Sequence, residues 1–142
     1  MKLISHRGNI CGKNPEHENH QSYLDHAISV GYEVEIDVWY DNGWWLGHDK
    51  PQYRTDLEYL SNPNFWIHCK NLEALAGLQS TKFNYFWHNT DLYTLTSHGW
   101  IWAYPKSPTV AGTYSIAVLP EIHNTDVTLF TGVCSDFIGN YK

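Results

Sequence analysis

Apolar and acidic residues alternate along residues 32–40, and this stretch dominates the pattern of the whole chain. Three aliphatic residues alternate there with three acidic ones, a period of two that predicts a β-strand. Side chains two positions apart share a face, so the carboxylates of Glu35 and Asp37 point the same way. Buried like charges need a counter-charge, and a hard divalent cation prefers oxygen ligands. The alternative is an acidic strand that faces solvent.

Further strands and helices follow one another along the chain. The predicted strands are Leu3–Ser5, Trp44–Gly47, Phe65–Lys70, Phe83–His88, Trp100–Tyr104, Ser115–Leu119 and Gly132–Ile138. The predicted helices, recognised by apolar spacing or by a capping residue, are Gln21–Val30, Thr55–Leu60 and Asn71–Leu78. The sequence Asp-Asn-Gly at residues 41–43 predicts a hairpin turn.

Strands that alternate with short helices favour parallel strands joined by crossovers, in one domain over residues 1–142. Polar residues follow several strand ends, which is where the sites of parallel α/β folds form. Crossovers such as 89–100 and 105–115 are too short for a full helix. We therefore expect an α/β fold of the reduced (β/α) TIM-like barrel type, with several short or missing helices. Its uncovered outer face would favour a homodimer.

Composition narrows the class of protein. Hydrophobic residues make up 42% and charged residues 17%, as in a folded domain, and the net charge of −6 argues against nucleic acid as a partner. No apolar run approaches the ~20 residues of a membrane span, and the polar N-terminus has no signal core. The three widely spaced cysteines Cys11, Cys69 and Cys134 predict packing residues in a reducing, cytoplasmic environment.

Five short motifs come in a fixed order in the first half of the chain. They are His6-Arg7-Gly8, Glu18-Asn19, Glu35-Ile36-Asp37, His48-Asp49 and Lys70 with a polar residue at position 68. This order resembles that of the glycerophosphodiester phosphodiesterases, which belong to the phosphatidylinositol-phospholipase-C-like phosphodiesterase superfamily. Ser135-Asp136 is similar to the pair on that family's final strand. The resemblance implies a PLC-like phosphodiesterase domain of TIM-barrel type, with a role in lipid metabolism.

The resemblance also implies roles for individual residues. His6 and His48 would be the general acid and base, for which a pKa near neutrality suits imidazole. Glu35 and Asp37 would hold the metal ion. The substrate phosphate would be bound or oriented by Arg7, Lys70, Glu18 and, at the next strand end, His88. Glu16 competes with Glu18 for the match.

Position 68 departs from the family pattern. The family places an acidic third metal ligand there, whereas this chain has His68. The resemblance implies Mg²⁺ or Ca²⁺, but imidazole favours softer metals. Three alternatives follow: the metal is a different one, such as Mn²⁺ or Zn²⁺, its affinity is low, or metal binding is lost.

These observations predict a metal-dependent phosphodiester hydrolase that acts on a small, glycerophosphodiester-like substrate. A non-catalytic phosphate- or sugar-phosphate-binding module with a degenerate metal site is the main alternative. A metal-dependent lyase or isomerase for a small sugar phosphate is a weaker one.

Overall fold

A single mixed sheet of ten strands runs through the chain, and the computed structural model describes all of residues 1–142. The strands are β1 (Lys2–His6), β2 (Glu33–Tyr40), β3 (Trp44–Leu46), β4 (Tyr53–Thr55), β5 (Phe65–Cys69), β6 (Tyr85–Phe86), β7 (Tyr93–Leu95), β8 (Ile101–Ala103), β9 (Ser115–Val118) and β10 (Gly132–Ser135). The α-helices are α1 (Gln21–Ser29), α2 (Leu57–Leu60) and α3 (Leu72–Leu78), and two 3-10 helices span Pro120–Ile122 and Ile138–Tyr141.

Parallel strands form the centre of the sheet in the order β6-β5-β2-β1-β10-β9-β8. The hairpin strands β3 and β4 extend antiparallel from the end of β2, and β7 pairs antiparallel with β8. Because parallel strands have their carboxyl ends on one side, the residues that follow β1, β2, β5 and β10 lie at a common edge.

The expectation of a reduced (β/α) TIM-like barrel of the PLC-like type is wrong. The sheet is not closed, and the α-helices have only nine, four and seven residues, far from an outer ring of helices. Between β6 and β8 the chain forms the antiparallel strand β7 instead of a helix and another parallel strand. Ser97, which follows β7, links this segment to β6: its amide donates to Tyr85 O at 2.8 Å and its hydroxyl donates to Phe83 O at 2.9 Å.

The open sheet is nevertheless strongly curved. Side chains from both ends of the parallel order meet on its concave face, where the Trp102 ring lies 4.8 Å from Phe86 and 5.7 Å from Trp66. They pack in one buried cluster with Ile4 and Cys134 from the central strands. The concave face is therefore filled by aromatic residues below the edge where the polar strand ends gather.

Helices cover the convex face beside β2 and β5. The aliphatic residues of β2, which alternate with its acidic ones, pack there against Leu24 of α1 and Ala74 of α3. On β5, Phe65, Ile67 and Cys69 face this layer, while Trp66 faces the concave side. The period-two patterns of both strands thus predict their buried faces correctly.

Local capping explains where the short helices begin. The side chain of Asp56 accepts a hydrogen bond from Tyr59 N at 2.8 Å and caps α2, and Asn71 accepts one from Ala74 N at 3.1 Å and caps α3. Thr55, expected in the helix, ends strand β4 instead. With nine residues in its longest helix, the chain contains no helix that could cross a bilayer.

The cysteines carry free thiols. Cys69 and Cys134 are buried packing residues, as predicted, whereas Cys11 is exposed. Burial raises the pKa of the Cys69 thiol to about 12, so this thiol stays protonated near neutral pH and is a poor nucleophile.

Candidate functional site

The register of the parallel strands sets the layout of the site. Ladder pairing places His6 of β1 beside Glu35 of β2, and Asp37 of β2 beside His68 of β5. Glu35 and Asp37 are buried, although their strand ends close to the polar edge. The acidic face of β2 therefore points into the protein and not into solvent.

Glu35, Asp37 and His68 form a group that could hold a metal ion, since one ligand atom from each lies within 4.8 Å of the others. His68 Nδ1 is 3.3 Å from Asp37 Oδ1 and 3.7 Å from Glu35 Oε1. Metal–ligand bonds of about 2.0–2.4 Å put neighbouring ligand atoms at roughly such separations.

Two buried oxygens of this triad have no hydrogen-bond partner, namely Glu35 Oε2 and Asp37 Oδ1. Leaving a buried charged acceptor unsatisfied costs several kcal/mol unless a counter-charge is present. A divalent cation at this position would meet that need. The residues present therefore fit a metal ion.

The imidazole of His68 is oriented for coordination through Nδ1. Its Nε2 lies 3.0 Å from the carbonyl oxygen of His88, which favours a proton on Nε2, and its ring stacks on Phe86 with a centroid separation of 5.0 Å. Histidine ligands of metals commonly donate their second N–H to a carbonyl or carboxylate in this way.

Without a metal, the charges of the triad are balanced by protons and cations. Burial disfavours the imidazolium of His68, but the carboxylates of Asp37 and Glu35 outweigh burial and raise its pKa to about 9. Burial likewise opposes the charge of Asp37, but His68, Arg7 and Lys70 hold the pKa of Asp37 well below its usual range. A metal ion must therefore displace the proton on Nδ1 before it can bind His68.

Cations approach Asp37 from the phosphate-binding positions expected from the sequence. Arg7 Nε lies 2.9 Å from Asp37 Oδ2, Arg7 Nη1 lies 3.3 Å from Glu18 Oε2, and Lys70 Nζ lies 3.8 Å from Asp37 Oδ1. Glu18 is buried and orients Arg7, whereas the competing match Glu16 is exposed.

Asn19 completes the surroundings of Asp37. Its Nδ2 donates to Asp37 Oδ2 at 2.9 Å, and its Oδ1 accepts from the Asp37 amide at 3.0 Å. Arg7 (φ 55°) and Asn19 (φ 63°) both have left-handed backbones, and the Asn19 amide donates to Arg7 O at 3.2 Å. Such non-glycine positions cost about 1–3 kcal/mol each and cluster at functional sites.

His6 is held by a carboxylate from the last strand end. Its Nδ1 lies 2.7 Å from Asp136 Oδ1, which also accepts from Asn9 Nδ2 at 2.8 Å, and its Nε2 lies 3.8 Å from Glu35 Oε2. Burial opposes the charge of Asp136, but the hydrogen bond from His6 outweighs it and lowers the pKa of Asp136. A carboxylate in this position fixes the orientation of the imidazole.

His48 sits apart from the triad. Its side chain is 41% exposed, and its Nδ1 lies 2.6 Å from Asp49 Oδ1. It forms no hydrogen bond or ion pair with His6 or with any residue of the triad. It does line a cavity of about 330 Å³ together with His6, Glu35 and His68.

His88 contributes to the aromatic wall of that cavity. Its ring stacks on Tyr104 with a centroid separation of 5.0 Å, and Trp102 lies deeper in the core. The cavity therefore joins charged groups at the ends of β1, β2 and β5 to a wall of flat rings.

The sequence interpretation did not assign Asn9, Asn19 or Asp136 to the site. Asp136 lies within the predicted last strand, in the Ser135-Asp136 pair that resembles the family's final strand, and this position was a usable signal. The two asparagines lie in the loop between β1 and α1, where only the three-dimensional path of the loop reveals their partners.

Searches against protein-family models, curated proteins and solved structures each found no match to this chain.

Proposed function

We propose that this protein is a divalent-metal-dependent phosphodiester hydrolase. The observation on which the proposal depends is a pair of buried oxygens without a hydrogen-bond partner, Glu35 Oε2 and Asp37 Oδ1. Asp37 Oδ1 lies 3.3 Å from His68 Nδ1, and the other carboxylate oxygen of Glu35 lies 3.7 Å from the same nitrogen. Arg7, Lys70, His6 and His48 border the same cavity. Carboxylates, cations and imidazoles in one pocket are the groups that phosphoryl transfer requires.

Each group would have a distinct role. Glu35, Asp37 and His68 would hold the cation, which when bound offsets negative charge on a phosphoryl oxygen. Arg7 and Lys70 would bind the phosphate, although the Nε and Nη1 groups of Arg7 are already used by carboxylates.

Proton transfer is proposed for His6 and His48, two of the four histidines that line the cavity. His6, fixed by Asp136, and His48 on the rim would share it, one taking the proton of the attacking hydroxyl and the other supplying one to the departing alcohol.

A specific observation favours the alternative of a phosphate-binding module without a metal. Arg7, Lys70 and a protonated His68 already surround Asp37, so its charge is compensated without any added cation. In this case the same cations would bind phosphate and no reaction would follow.

The test is the turnover of bis(p-nitrophenyl) phosphate before and after treatment with EDTA. We expect turnover that EDTA abolishes and that Mn²⁺ or Zn²⁺ restores better than Mg²⁺, because imidazole favours softer cations.

In His68→Glu, which presents only oxygen ligands, the preference among metal ions should shift toward Mg²⁺. His123→Glu, at an exposed site, is the matched control. Phosphate binding without EDTA-sensitive turnover would establish the binding module instead.

A further inference from the structure

A second cavity adjoins the metal-side cavity, and the two share only Arg7 and His48. This outer cleft has a volume of about 470 Å³. The metal-side cavity has an aromatic wall, whereas the outer cleft is lined by charged and amide side chains with Pro15 as its one nonpolar residue. A molecule whose phosphate lies beside Arg7 and His48 would extend into both the metal-side cavity and the outer cleft.

The charges of the outer cleft do not cancel: its lining includes three cations, Arg7, Lys13 and Lys50, and two carboxylates, Glu18 and Asp49, an excess of one positive charge when His48 is neutral. Arg7 pairs with Glu18, and Asp49 Oδ1 lies 2.6 Å from His48 Nδ1. Lys13 and Lys50 are exposed on its rim and form no ion pair. Two ammonium groups without an ion pair thus border a polar cleft in a chain whose net charge is −6.

Both lysines lie on backbone segments that are fixed to the site. The loop with Lys13 is tied to the end of β10 by the Gly12 amide, which donates to Asp136 O at 2.8 Å. The loop with Lys50 is closed by Gly47, whose φ is 149° and where a Cβ would lie 2.1 Å from Lys50 O. The Gly47 carbonyl in turn accepts from Trp39 Nε1 at 2.6 Å. The backbone that carries the two lysines is therefore held by the ends of β10 and β2.

We propose that the outer cleft binds the anionic arm of the substrate, an esterified alcohol that carries a second negatively charged group such as a carboxylate or phosphate. This inference rests on the proposed phosphodiester hydrolase and specifies its substrate class. The other arm, an apolar or aromatic group, would lie against His88 and Tyr104 in the metal-side cavity. Arg7 and His48, at the junction, would flank the scissile phosphate.

Three p-nitrophenyl phosphodiesters of similar size test this proposal. Their second ester group is 2-carboxyethyl (anionic), n-propyl (neutral) or 2-aminoethyl (cationic). We expect kcat/KM for the carboxyethyl ester to exceed that for the propyl ester by about tenfold, as two exposed ion pairs can supply, and the aminoethyl ester to be the poorest. The preference should shrink as salt rises from about 0.05 to 0.5 M.

Charge-removing variants locate the effect. Lys13→Gln/Lys50→Gln should reduce the ratio between the carboxyethyl and propyl esters to about one. Lys82→Gln/Lys106→Gln removes two lysines that also lack ion pairs but lie outside both cavities, and should keep the ratio of the wild type. A wild-type ratio near one, or a ratio that survives in Lys13→Gln/Lys50→Gln, would overturn the proposal.

Binding separates this inference from the proposed function. Hydrolysis-resistant phosphonate analogues of the three esters should show the same order of Kd by calorimetry. Charge-selective binding without turnover of any ester would contradict the hydrolase and retain the anionic cleft. Turnover without charge selectivity in kcat/KM or Kd would retain the hydrolase and exclude the cleft.

Discussion

Turnover of a phosphodiester should fall by roughly 10²- to 10⁴-fold in each of the single variants His6→Asn and His48→Asn. This is the contribution expected of a positioned acid or base. His6 has its Nδ1 fixed by Asp136, so that Nε2 is the atom available for proton transfer. His48 borders the same cavity from a different loop.

A pair of substrates shows which histidine is the acid. A p-nitrophenyl diester releases a good leaving group that needs little protonation, whereas a dialkyl diester requires a proton on the departing oxygen. Loss of the acid should therefore harm the dialkyl ester much more than the nitrophenyl ester. Loss of the base should harm both equally.

The controls separate chemistry from folding. His123→Asn, at an exposed position, should retain wild-type rates. His48 is half-exposed, so His48→Asn should unfold at the wild-type temperature even if burial makes His6→Asn less stable. Wild-type rates in both variants would disprove the acid–base assignment.

The second large effect concerns stability. In EDTA, Arg7→Met should lower the free energy of unfolding by about 3 kcal/mol, because it leaves the fully buried Asp37 without its nearest cation. Lys70 and His68 remain near Asp37 and limit the loss. Methionine keeps much of the buried volume, so the effect reports mainly on charge.

A double-mutant cycle with Asp37→Leu isolates the interaction. The double variant Arg7→Met/Asp37→Leu should be more stable than the sum of the single changes predicts, by at least about 1 kcal/mol in urea unfolding. Arg54→Met removes an exposed arginine that stacks on Trp45 and should change stability by no more than about 0.5 kcal/mol. A coupling energy near zero would show that Arg7 does not compensate Asp37.

The local patterns of the sequence predicted more of this molecule than its overall topology. Alternation in β2 correctly predicted that Glu35 and Asp37 share one face, because side chains two apart must share a face whatever surrounds the strand. Asn71 predicted the start of α3, since its capping interaction involves only neighbouring residues.

Closure of the sheet could not be read from the same patterns. The order of strands and helices resembles that of a barrel, but whether β6 pairs with β8 depends on the path of residues 87–100. Tyr93–Leu95 forms the antiparallel partner of β8 and occupies the stretch where a crossover was expected. This strand has only three residues and lies among loops, so its local pattern is weak.

The grouping of Glu35, Asp37 and His68 was predictable, but its surroundings were not. The alternation in β2 indicated the two carboxylates, and the family resemblance indicated position 68. Contacts of Asn19 with Asp37 require left-handed backbones at Arg7 and Asn19, which residue type alone does not dictate.

Pulsed electron paramagnetic resonance of bound Mn²⁺ tests the metal centre most directly. We expect one Mn²⁺ per chain, with a nitrogen coupling from the directly bound imidazole of His68. The coupling should vanish in His68→Gln and persist in His88→Gln, whose ring lies 6.5 Å from that of His68. No bound Mn²⁺, or bound Mn²⁺ without a nitrogen coupling in the wild type, would contradict a centre built from Glu35, Asp37 and His68.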